Sequence, residues 1–70
     1  MGQLLAILET AIKREVEACK LYRRGEETAT TPEAKALFRR LAAEETKHKE
    51  LLVELYQQVA GRAVYEEWLL

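Results

Sequence analysis

Two carboxylates and an imidazole occupy positions where a helical seam should be oily. Leu5, Leu8, Ile12, Glu15, Cys19 and Tyr22 recur at alternating steps of three and four along the first half of the chain. Ala34, Phe38, Leu41, Glu45, His48, Leu52, Leu55 and Val59 keep the same rhythm along the second. Such a rhythm lays each set on one stripe of a helix, turned toward a partner. An ionisable group on that stripe loses water at a cost, unless something compensates for it. Glu45 and His48 stand three residues apart, about one turn on the same side of a helix. Oxygen and imidazole donors without sulfur suit iron or manganese, with zinc able to substitute. Glu15, Glu45 and His48 are therefore the candidate metal ligands. Glu44, four residues before His48, competes with Glu45 for that place; on the flank it would guide cations inward.

These groups need two helices to bring them together. The first is predicted from about Gln3 to about Ala29, with Glu9, Lys13, Arg14, Glu17, Lys20 and Arg24 on its solvated face and Glu9–Lys13 as a favourable four-residue pair. Gly25 weakens its last turn by roughly 1 kcal/mol relative to alanine. Thr31-Pro32-Glu33 reads as an N-cap, a proline at the first helical position and an acid in the first turn. The second helix is predicted to run to about Ala60, where Gly61 is suited to end it. A connection this short makes the pair an antiparallel hairpin. Counting about 15 residues from Glu15 to a turn near residue 30, and as many onward, arrives near Glu45. The three groups thus share one level of the hairpin. Residues 1–61 form this unit, and residues 62–70 are expected to add a short helix whose Val64, Tyr65, Trp68 and Leu69 must dock on the hairpin or on another subunit.

The chain has 70 residues, 49% hydrophobic and 33% charged, with a net charge of −1, which makes one small globular domain. No basic patch of the kind that binds nucleic acid is present. No apolar run is long enough for a bilayer, and no basic residues precede the first apolar ones, so neither a membrane span nor a secretory signal is expected. One cysteine excludes an internal disulfide and fits a reducing, cytoplasmic setting.

A lone hairpin leaves its seam uncovered, so the smallest folded unit is expected to be a homodimer, which residues 62–70 could extend to a ring. Two hairpins about a two-fold axis give a four-helix bundle with four glutamates and two histidines. That is the ligand set of di-iron carboxylate bundles, one Glu from each of two helices and Glu-x-x-His from each of the others. Four carboxylates balance two divalent ions.

At this point the chain resembles the ferritin-like superfamily, in its rubrerythrin and encapsulated-ferritin branch. The segments that carry the likeness are Ala11-Ile12-Lys13-Arg14-Glu15 through Leu21-Tyr22 and Leu41-Ala42-Ala43-Glu44-Glu45-Thr46-Lys47-His48-Lys49-Glu50-Leu51-Leu52. The resemblance spans roughly residues 5 to 58 and implies an all-α half-ferritin that dimerises into a ferritin-like bundle. It implies two iron ions per dimer held by Glu15, Glu45 and His48, with Tyr22 hydrogen-bonded to a ligand carboxylate. The activity implied is oxidation of ferrous iron by oxygen or peroxide, in iron storage or detoxification. An encapsulin shell is an implied partner, and cytoplasm or an encapsulin compartment the implied location. A rubrerythrin-like peroxide reductase with an external electron donor is the alternative on the same site; one cysteine cannot make the four-cysteine module rubrerythrins proper carry. A metal-free helical interaction module, in which the seam polar groups only fix register, is the rival from another class.

Overall fold

The computed structural model describes residues 2–61. Helix α1 (Gly2–Thr28) and helix α2 (Pro32–Ala60) form an all-α antiparallel hairpin. Thr31, in extended conformation, accepts a hydrogen bond from the Ala34 amide at 3.1 Å; Pro32 and Glu33 follow in the first turn as expected. At the far end Gly61 adopts φ 69°, and its amide reaches the Gln57 carbonyl at 2.9 Å. No basic residue occupies the last turn of α1. Its terminal carbonyls are served instead from across the turn, where Lys35 Nζ donates to the Glu26 carbonyl at 3.0 Å. Arg39 pairs with the Glu26 carboxylate at 2.8 Å. The short helix expected over residues 62–70 lies outside the described residues.

The contact line between the helices follows one stripe closely on α1 and departs from the expected one on α2. Leu8, Ile12, Val16 and Cys19 are buried on α1. On α2 the buried residues are Ala42 and Tyr56, and Leu52, Val53, Val59 and Ala60 pack against the Leu8–Ile12–Tyr56 cluster, so the predicted stripe contributes Leu52 and Val59 to it. The predicted α2 stripe lies about 100° around the helix from this line. Ala34, Phe38, Leu41, Leu52 and Val59 are half-buried, and His48 and Leu55 are exposed. The reason is that α2 carries two apolar lines. The hairpin buries one most deeply, and the other lies at the edge of the contact, with Leu52 and Val59 against the core and His48 and Leu55 open.

Two further differences concern Glu9 and Gly25. Glu9 is half-buried and accepts a hydrogen bond from the hydroxyl of the fully buried Tyr56 at 3.1 Å, so it is not simply a solvated partner for Lys13. Gly25 lies inside α1 with the ring of Phe38 packed across it. A Cβ there would come within 2.6 Å of the ring. No helix among the described residues is long and apolar enough to cross a membrane.

Candidate metal centre

Glu15 projects from the middle of α1, one turn before the buried Cys19. Glu45 and His48 project from α2 on either side of Thr46. Thr46 and Cys19 tie the helices together at this level: the Ala42 carbonyl accepts from the Thr46 hydroxyl at 3.0 Å and from the Cys19 thiol at 3.7 Å. This is the small buried role that free cysteine commonly fills. With the backbones so fixed, one donor atom each from Glu15, Glu45 and His48 falls within 4.8 Å of the others. His48 Nδ1 stands 3.8 Å from Glu15 Oε2 and 3.6 Å from Glu45 Oε2.

Those separations exceed an ordinary hydrogen bond. They fit a shared ion. Donors about 2.0–2.2 Å from one metal stand roughly 3–4 Å apart at the usual coordination angles. A second observation agrees with this. Glu15 Oε2 is buried and has no hydrogen-bond partner. A carboxylate oxygen withdrawn from water without a partner is costly, and a cation would satisfy it. The donor set, two carboxylate oxygens and one imidazole nitrogen, is of the type iron and manganese accept.

The neighbouring acids separate clearly. Glu44 turns away to Arg40 at 3.4 Å with half its side chain exposed, whereas the Glu45 side chain is 20% exposed and faces the cluster. Tyr22 packs its ring against Phe38, with centroids 6.4 Å apart. Its hydroxyl forms no hydrogen bond among the described residues of this single hairpin, so no carboxylate is joined to it here. Sequence reasoning missed Val16 and Tyr56, both buried in the hairpin, Tyr56 against Leu8 and Ile12 toward the N-terminal end of α1. The signal was available as a second 3-4 rhythm, Ala42-Lys49-Val53-Tyr56-Ala60, one position out of step with the chosen stripe.

A family model, Rubrerythrin, matches residues 6–67. The chain belongs to the rubrerythrin family. Rubrerythrins are ferritin-like, and membership implies a di-iron oxidoreductase type, to which a cluster of two glutamates and a histidine able to hold metal corresponds. The two-helix hairpin is consistent with half of such a bundle. No individual curated protein and no solved structure shows a significant match.

Proposed function

We propose that the chain is a di-iron ferroxidase of the rubrerythrin family, acting as a dimer whose interface holds the metal. Ferrous iron is the substrate. Each ion gives up one electron, and oxygen or peroxide accepts the electrons and takes up protons to become peroxide or water. Glu15 and Glu45 supply the negative charge that gathers the ions. His48 supplies a neutral nitrogen donor, and Tyr22 reaches a carboxylate across the interface.

The observation that carries this reading is the unpartnered, buried Glu15 Oε2 facing His48 and Glu45. The exposure of His48 supports a shared site. Its side chain is 56% open in a lone hairpin, and so is the apolar flank bearing Leu37, Leu51 and Leu55. A second copy laid on that flank would cover both and complete the ligand set. Iron storage or detoxification, with an encapsulin shell to hold product, is the setting we propose, because a bundle this small has no room for mineral.

The deciding experiment measures metal content together with mass in solution. One iron per chain in a particle of at least two chains, with rapid single-turnover oxidation in the absence of reductant, is expected. A folded monomer that binds no iron would overturn the proposal in favour of a metal-free interaction module. Family membership favours one second reading, peroxide reduction with an external electron donor. Turnover of peroxide that stops when the donor is withheld would select it.

A further inference from the structure

Cys19, Ala42 and Thr46 form a closed triangle of contacts between the two helices. The Ala42 carbonyl accepts from the Thr46 hydroxyl at 3.0 Å and from the Cys19 thiol at 3.7 Å, and Cys19 Sγ and Thr46 Oγ1 stand 3.5 Å apart. With the hydroxyl proton directed to the carbonyl, the hydroxyl oxygen is left to accept from the thiol. Cys19 and Ala42 are buried, and Thr46 is half-buried. The short side chain of Ala42 leaves room for the thiol to reach the main chain of α2.

We propose that this thiol–hydroxyl clasp sets how far Glu15 stands from Glu45 and His48, which makes Cys19 and Thr46 positioning residues for the metal cluster. The inference rests on the metal reading of those three ligands. The clasp is interleaved with them. Cys19 follows Glu15 by four residues, Ala42 precedes Glu45 by three, and Thr46 lies between Glu45 and His48. On a helical wheel Glu15 lies about 40° from Cys19 and Glu45 about 60° from Ala42, each within roughly one 5.4 Å turn. A change in helix separation at the clasp therefore reaches the donors almost undiminished. Each contact is weak, since a thiol is a poor donor. The donors have little slack, however. His48 Nδ1 stands 3.8 Å from Glu15 Oε2 and 3.6 Å from Glu45 Oε2, and metal–donor distances tolerate only about 0.2 Å. A shift that the apolar core absorbs is thus felt by an ion. Holding the helices together here also keeps the unpartnered Glu15 Oε2 out of water. A loosened hairpin would hydrate that oxygen and lower the gain from meeting it with a cation.

Cobalt(II) added to the full chain in place of iron tests this, because its visible absorption reports both affinity and coordination geometry. Cys19→Ala and Thr46→Val should each weaken cobalt binding several-fold and change the intensity of the band at saturation. Thr46→Val keeps the side-chain volume, so it tests the clasp with little change in packing. Cys19→Ser and Thr46→Ser retain a donor at each position and should restore both readouts. Tyr56→Phe removes a hydrogen bond between the helices far from the cluster and should change neither. If the wild type binds cobalt and both Cys19→Ala and Thr46→Val match it, the clasp proposal is overturned and the metal reading stands. Weakening of the same size in Tyr56→Phe, or no rescue by the serine variants, also overturns it. So does a thiolate-to-cobalt charge-transfer band in the wild type that Cys19→Ser removes, since Cys19 would then be a ligand. A wild type that binds no cobalt overturns the metal reading and the clasp with it.

Discussion

An acid whose buried oxygen lacks a partner is a liability to the fold and an asset to metal binding, and Glu15 shows both sides. Withdrawing that oxygen without a hydrogen bond costs about 1–3 kcal/mol, and no hydrogen bond among the described residues relieves it. Glu15→Leu should therefore raise the melting midpoint of the metal-free protein and remove the stabilisation expected of ferrous iron in the wild type. Melting curves of both proteins, with and without iron, check the two halves together. The adjacent acids give a sharper contrast. Glu45→Ala and His48→Ala should lower iron content and oxidation rate by an order of magnitude or more, since each removes a proposed donor. Glu44→Ala should leave both near wild type, because Glu44 engages Arg40 instead. Iron analysis after desalting reads this directly. At this scale the sequence was highly legible, since spacing alone brought Glu15, Glu45 and His48 to one level. The surroundings of Glu15 were not, because the absence of a partner for one oxygen depends on side-chain directions that periodicity does not carry.

At the scale of elements, caps and turns follow local chemistry and were readable to within a residue or so. Thr31, Pro32 and Gly61 act where their types say they should. The packing face of α2 was not readable, because two apolar lines compete on it and only the partner helix chooses between them. The stripe through Leu41, Leu52 and Val59 is the more hydrophobic and lends Leu52 and Val59 to the edge of the core, yet the hairpin seats Ala42 and Tyr56 most deeply. The small Ala42 lets the backbones approach beside Cys19, and Tyr56 gains a hydrogen bond to Glu9. Tyr56→Phe should accordingly cost about 1 kcal/mol in denaturant unfolding with unchanged iron binding. Gly25 was read as a weak point in α1, and its cost is real in isolation. In the hairpin it is a contact position, because Phe38 occupies the space of a Cβ. Gly25→Ala gains helix propensity of about 1 kcal/mol but must displace the ring. We expect net destabilisation by chemical denaturation, relieved when Phe38→Leu is added in a double-mutant cycle.

At the scale of the molecule, the proposed dimer would couple stability and function through association. Leu4, Ile7, Leu21, Leu37, Leu51 and Leu55 are exposed on a hairpin of about sixty residues, too much apolar surface for a stable isolated unit. The melting midpoint should therefore rise with protein concentration. It should also rise with ferrous iron, the free energy of unfolding gaining about 2.7 kcal/mol at a hundredfold excess over the dissociation constant, and fall back on chelation. Calorimetry at several concentrations, with and without chelator, checks both dependences. The position of the centre on the hairpin has one more consequence, and it concerns how this chain can change over evolutionary time. Glu15 and the Glu45–His48 pair are matched by equal lengths of helix measured from the turn. An insertion of one residue in either helix between turn and centre rotates its donors by about 100° and advances them about 1.5 Å, which dissolves the cluster. Only insertions or deletions of about seven residues, made in both arms together, keep phase and level at once. Lineages of this chain should vary freely at the connection, where added residues shift neither arm, and should lengthen or shorten their arms only in pairs.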